Sequence, residues 1–413
     1  MTKKVRDIQE TIKKGSKGYG ALFLLFVYGI PIGIMVGILD VVFGKVLLEI
    51  TEFRQTHMLY LLPFLALAGI LIAWAYEEYG KESGKGMGLV FEAGHKQRDD
   101  IPLRLIPFVI ISTWLTHLFG GSAGREGVAV QIGATCSQWF GSRVLKKKKT
   151  NIFLVAGIAA GFSGLFGTPI AAVLFAMEVL VIGALQYEAL LVALSASFTA
   201  SETARVLGLE KFEYYLGISV SFTPKLFVVF LLLGVLFGVV GTFFAYALNQ
   251  AKAKLKQWIP NGIKRIAIGG IILSVLLLLL YQGRYSGLGT NLIQFSFHGD
   301  KVYEYDWILK LLLTVFTLAV GFQGGEVTPL FSIGAALGCV IAPFVGIPTV
   351  LGAALGYVAV FGSATNTFLA PVFIGAEVFG YEYLPCFFVV CAIAYAINGN
   401  RSIYSLQKEN TLL

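Results

Sequence analysis

The chain has 413 residues, 56% of them hydrophobic and only 14% charged, with 48 glycines; an ordinary soluble domain carries roughly 25% charged residues. This excludes a soluble enzyme and describes a polytopic helical membrane protein, since about 20 residues suffice for one crossing. The 32 Lys+Arg against 24 Asp+Glu give a net charge of +8, but the cations sit in short linkers between apolar runs, where they orient a chain in the bilayer rather than bind nucleic acid.

Residues 1–18 carry Lys3, Lys4, Arg6, Lys13, Lys14 and Lys17 ahead of a long apolar run. That run exceeds the roughly 7–15 residue core of a cleaved signal peptide, so a retained, cytoplasmic, basic N-terminal helix is predicted. Apolar runs follow at 19–50, 58–78, 104–119, 127–142, 151–183 and 187–200, then at 225–250, 263–281, 306–322 and 327–398, the last broken by turn signals into several helices. Basic clusters at the N-terminus, at 143–149 (RVLKKKK) and at 252–265 predict three cytoplasmic linkers, whereas 202–215 and 298–306 are mixed or acidic. The uneven run lengths predict long tilted helices mixed with short broken ones. Glycine-interrupted helices are tolerated at membrane depth only against protein or a wet cavity, so the interruptions point to a substrate path.

The chain also repeats itself. Residues 161–179 (GFSGLFGTPIAAVLFAMEV) align with 360–378 (VFGSATNTFLAPVFIGAEV), pairing Phe162 with Phe361, Thr168 with Thr367 and Glu178 with Glu377. A similar offset pairs Gly124 with Gly325. The fold class expected is therefore an all-α polytopic membrane protein of two inverted-topology repeats with tilted and broken helices. Residues 1–18 form the N-terminal helix, 19–210 the first repeat, 211–398 the second, and 399–413 a C-terminal helix and tail. Paired halves with matching interruptions indicate a transporter whose site lies between them. The matching Glu178 and Glu377 read as structural groups near helix ends.

The strongest chemical signal is GGSAGREGVAVQIG at 120–133, a glycine-rich turn opening a short apolar helix. A helix start offers unpaired amides and the positive end of the dipole, and glycines let a ligand approach them, so the place suits an anion. Glu126 stands there beside Arg125. An intramembrane carboxylate at an anion site competes with the anion when charged and yields when protonated, which couples protons to anions. The plainer alternative is a carboxylate complementing the helix dipole.

GSAGREGVAVQIG, GLFGTPIAAVLFAMEV, GGEVTPLFSIGA and the NGNRSIYS tail together resemble the four signature regions of the CLC chloride channel and transporter family, in order, over about residues 19–408. The resemblance implies a homodimer of independent pores, a CLC fold and a gating glutamate at Glu126. It also places Tyr404 on the family tyrosine that meets the central anion, with Gly124, Arg125, Gly127, Gly325, Val327 and Thr328 at the helix starts around it. Three departures from chloride members are informative. Met87 replaces the Ser or Pro that faces the anion, and a thioether cannot donate a hydrogen bond. Glu326 and Val327 replace Ile/Val and Phe, adding an ionisable group, and Val179 replaces an internal glutamate. This set resembles the bacterial fluoride/proton antiporter branch, implying fluoride and protons as substrates, Glu126 and Glu326 as gating and proton-transfer groups, and no catalytic residue. Thr328, before Pro329, reads as an N-cap that also offers its hydroxyl to the path.

A chloride channel or chloride/proton exchanger of the same family is the nearer alternative. The remote one is an intramembrane serine protease, from the GxSG pattern at Ser163, whose only following histidine, His298, is expected in a polar loop. Cys136, Cys339, Cys386 and Cys391 stand singly in apolar stretches and read as core residues. Scattered histidines predict no metal site, and no P-loop pattern or cofactor motif is present.

Overall fold

Glycine and proline punctuate the apolar runs into a series of α-helices. The computed structural model describes residues 3–144 and 151–409, with side chains from residue 19; most of the basic run at 143–149 lies outside the described residues. In chain order the helices are α1 (Lys3–Leu61), α2 (Leu65–Ala75), α3 (Met87–Gly94), α4 (Leu105–Leu118), α5 (Glu126–Trp139), α6 (Asn151–Phe166), α7 (Pro169–Glu178) and α8 (Leu190–Val206). The second half has α9 (Pro224–Trp258), α10 (Gly262–Leu279), α11 (Thr290–His298), α12 (Asp306–Val320), α13 (Val327–Val345), α14 (Thr349–Thr365), α15 (Leu369–Phe379) and α16 (Leu384–Ala396).

Four stretches in this series are long and apolar enough to cross a membrane, and six shorter apolar helices accompany them. The fold is thus the expected all-α one of long and broken helices. A helix-free connection at 207–223 joins the halves, and Thr223 caps α9 by accepting from the Leu226 amide at 3.2 Å.

Three expectations need correction. The gap between the first two runs, 51–57, is helical: α1 continues through it to a kink at His57, with Thr51 and Arg54 buried and bonded on its inner face and the other polar residues exposed. Arg54 donates to the His117 carbonyl at 2.7 Å, and Thr51 to the Leu47 carbonyl at 2.8 Å. The run 151–183 is two helices, divided where Gly167 takes φ +77° and Pro169 starts α7. The C-terminal helix does not form among residues 399–409. There the Asn398 side chain accepts from the Arg401 amide and donates to the Arg401 and Ser363 carbonyls, folding the chain into turns. Lys408–Glu409 then pairs in parallel with Val181–Ile182.

The two halves pack by one device used twice. Gly133 of α5 lies on Gly157 of α6, and Gly334 of α13 lies on Gly356 of α14, so close that a Cβ at any of the four would collide with the opposite backbone. Small residues let apolar helices approach to backbone contact where lipid supplies no hydrophobic drive. Around these crossings α6 and α14 are buried almost along their length, which fixes α5 and α13 as internal struts. Cys136, Cys386 and Cys391 are buried and Cys339 half-buried, all as free thiols.

Candidate functional site

The struts α5 and α13 begin at one place. Just ahead of them, the Gly124 amide donates to the Gly325 carbonyl at 2.5 Å and the Gly325 amide to the Gly124 carbonyl at 2.7 Å, a two-residue antiparallel bridge between the repeats. A side chain is excluded: a Cβ on Gly124 would lie 2.8 Å from Pro329 Cδ and 2.9 Å from the Gly325 oxygen. Two helix N-termini, each with unpaired amides and a positive dipole end, are thereby held together deep in the protein.

Glu126 crosses between them. Its fully buried carboxylate accepts, through Oε2, the Thr328 amide at 3.1 Å, the Thr328 hydroxyl at 2.5 Å and the Arg125 amide at 3.4 Å. Oε1 lies 3.6 Å from Arg125 Nε and accepts no hydrogen bond among the described residues. A carboxylate oxygen from one repeat thus occupies the donors at the helix start of the other. Thr328 is therefore not an N-cap. The helix starts earlier, with Glu326 at the cap position and Val327 first in the helix. The Thr328 hydroxyl, one position further in, donates its hydrogen bond to Glu126.

On one side of this crossing opens a cavity of about 360 Å³, lined among others by Met87, Gly127, Gln131, Lys252, Glu326 and Tyr404. Met87 opens α3 and is half-buried. Tyr404 is buried with its ring 5.2 Å from that of Phe91. Glu326 Oε1 lies 3.7 Å from Lys252 Nζ, and Oε2 would stand 3.7 Å from a Cβ on Gly127. The residues singled out from sequence thus converge. Met87, Gly127, Glu326 and Tyr404 line the cavity, while Gly124, Arg125, Gly325, Val327 and Thr328 build the contact that holds Glu126.

Glu178 and Glu377 sit apart from the crossing and do what their symmetry implied. Glu178, ending α7, accepts the amides of Phe368, Leu369 and Ala370 at the start of α15, at 3.2, 3.2 and 2.8 Å. Glu377 of α15 accepts the amides of Ile170 and Ala171 at the start of α7, at 3.0 and 2.8 Å. Val179 is fully buried. The Ser163 hydroxyl donates to the Ser197 carbonyl at 2.9 Å. His298 is not in a loop but ends α11, bonded to the Gln294 carbonyl because the helix carries on through it.

Sequence reasoning missed several polar groups. Gln131 of α5 donates to the Gly127 carbonyl at 3.0 Å while its buried Oε1 has no partner among the described residues. Lys310 of α12 is fully buried and donates to Ser122 Oγ, the Tyr285 carbonyl and the Gly287 carbonyl at 2.9, 3.1 and 2.7 Å, tying the loop before Glu126 to the opposite repeat. Its signal was in plain view: a lone cation inside the apolar run 306–322, where a charge is rarely idle.

Comparison with known proteins settles the family. The pattern described as voltage gated chloride channel matches residues 68–399. The chain belongs to the CLC family. It is 37% identical to a chloride/fluoride channel protein of Pseudomonas syringae pv. tomato over 367 residues, 87% of this chain and 80% of that one. It is 25% identical to an H(+)/Cl(-) exchange transporter ClcA of Vibrio vulnificus, covering 100% of this chain and 97% of the other. Among solved structures, a CLC-type fluoride/proton antiporter superposes with TM-score 0.93 at 54% identity, covering 95% of this chain and 99% of that one. A slow cyanobacterial Cl-/H+ antiporter at 20% identity and TM-score 0.77, covering 91% and 94%, shares the fold. The protein is a multi-pass CLC membrane protein, a transport protein rather than an enzyme.

Proposed function

We propose that this CLC protein is a fluoride/proton antiporter, a secondary active transporter that exports cytoplasmic fluoride in exchange for inward protons. It works as a homodimer of independent pores in a bacterial cytoplasmic membrane, with the N-terminus and the cavity mouth facing the cytoplasm. The observation that carries the reading is the Glu126 carboxylate seated on the Thr328 amide and hydroxyl. These donors suit any small anion that accepts strongly, so carboxylate and fluoride compete for one place.

A proton on Glu126 removes its charge and frees those donors for the anion. Fluoride then passes the crossing, and the carboxyl gives up its proton on the cavity side, where Tyr404 and Glu326 line the same cavity. Met87 narrows the path without donating a hydrogen bond, which disfavours the larger, more weakly accepting chloride. Arg125 balances the buried Glu126 charge. The apolar Val179 leaves Glu326 as the inner ionisable group on the proton's route.

Support comes from the 54% identity to a chain described as a fluoride/proton antiporter and the 37% identity to one described as a chloride/fluoride channel protein. The test is paired flux in proteoliposomes. A fluoride gradient drives proton movement and a chloride gradient drives little; passive chloride flux, or chloride-driven proton movement of equal size, refutes the reading in favour of a chloride channel or exchanger.

A further inference from the structure

The cavity beneath Glu326 has a charge balance the antiport scheme leaves unused. Lys85, Lys252, Lys256 and Arg265 line it, against the single carboxylate of Glu326. Lys85 is held elsewhere, 2.9 Å from Glu92. The three remaining cations come from the end of α9 and the start of α10, so the mouth has an excess of positive charge over a partly enclosed floor. Such clefts concentrate anions by about 10- to 1000-fold over bulk.

Lys252 differs from the other two. Its Nζ lies 3.7 Å from Glu326 Oε1, and its side chain is 44% exposed against 16% for that of Glu326. The ammonium sits on a flexible four-carbon stem at the rim, whereas the carboxylate is fixed on the floor. Of the two partners, the lysine is the one free to swing.

We propose that this cavity is an anion-recruiting site at which the Lys252 ammonium serves in turn as counter-ion to Glu326 and to an incoming small inorganic anion, fluoride in the antiport cycle. The inference rests on the antiporter reading for the identity of that anion. While Glu326 is ionised, it holds the ammonium and repels an anion from the floor. When Glu326 takes up a proton, the ammonium keeps its three hydrogens, loses its partner and turns to the anion in the mouth. Anion arrival and proton occupancy of Glu326 then favour each other, and by linkage each strengthens the other equally. Lys252 is thus a positioning residue for Glu326 and a direct contact for the anion.

The experiment measures fluoride transport in oriented proteoliposomes against fluoride concentration on the cavity side, at two concentrations of inert salt. The expected result for Lys252→Met is a KM raised about tenfold, the lower end of that focusing range, with the salt dependence of KM flattened. Lys252→Arg keeps the charge and stays near the wild-type KM. Lys254→Met, a neighbouring exposed cation outside the cavity lining, changes neither quantity. A Lys252→Met protein with wild-type KM and salt slope overturns the proposal, as does an equal shift in Lys254→Met. A wild-type protein that carries chloride in place of fluoride defeats the antiporter reading instead, and the same KM comparison, read with chloride, then judges the recruiting site.

Discussion

Replacing Thr328 by valine preserves shape and removes one hydroxyl. In the closed arrangement that hydroxyl donates to Glu126 Oε2 at 2.5 Å, between two buried side chains. A hydrogen bond to a charged group contributes about 1.5–3 kcal/mol, which corresponds to roughly a 10- to 150-fold change in occupancy. The Thr328 amide at 3.1 Å remains, so the carboxylate still has a seat, but a weaker one. Fluoride, which in this scheme displaces the carboxylate, then passes without waiting for a proton. The expected outcome for Thr328→Val is fluoride flux that persists while the protons moved per fluoride fall several-fold. Thr328→Ser restores the ratio. Simultaneous fluoride and pH electrodes on proteoliposomes read both quantities. A valine variant with unchanged rate and unchanged ratio would mean that the hydroxyl does not hold the gate, and the argument from this contact would fail.

Four further outcomes are expected. Glu126→Gln abolishes proton movement coupled to fluoride, read by the same electrodes; coupled exchange surviving in this variant removes Glu126 from the proton path. Gly124→Ala forces a Cβ to 2.8 Å from Pro329 and 2.9 Å from the Gly325 carbonyl, a clash of about 1–3 kcal/mol. Exchange is lost and thermal stability in detergent falls by several degrees. Glu178→Gln weakens the cap on α15 by about 1–2 kcal/mol, lowering the melting temperature while leaving the proton-to-fluoride ratio as in the unaltered protein; a changed ratio would give Glu178 a chemical role. Met87→Ser puts a hydroxyl at the cavity and raises chloride transport relative to fluoride, measured by competition between the two ions.

Much of this was legible because membrane helices advertise themselves. Apolar runs, glycine interruptions and the offset between residues 161–179 and 360–378 led to a broken-helix, duplicated fold, and the GREG segment led to Glu126. What stayed hidden was of two kinds. Boundaries inside apolar stretches depend on tertiary bonds: the partner of Arg54 is a carbonyl 63 residues away, and no local pattern shows that α1 runs through residues 51–57. The direction of a hydrogen bond was the other. Thr-Pro at a helix start reads as a cap, but here the chain enters the helix at Val327, and a carboxylate from the opposite repeat accepts the hydroxyl's hydrogen bond. Lys252 was visible only as part of a basic linker, since its proximity to Glu326 is made by the return of α9 beneath α13.

The exchange of carboxylates between α7 and α15 bears on ancestry and assembly. Each half reaches over to close the helix that the other leaves open, and among the described residues neither N-cap side chain does so itself. A single half made alone would expose an unsatisfied helix start to hydrocarbon and could find relief only in a second copy lying upside down beside it. The ancestor of this chain would then have been a pair of oppositely inserted subunits, and a protein severed in the 207–223 connection should still reassemble from its two pieces.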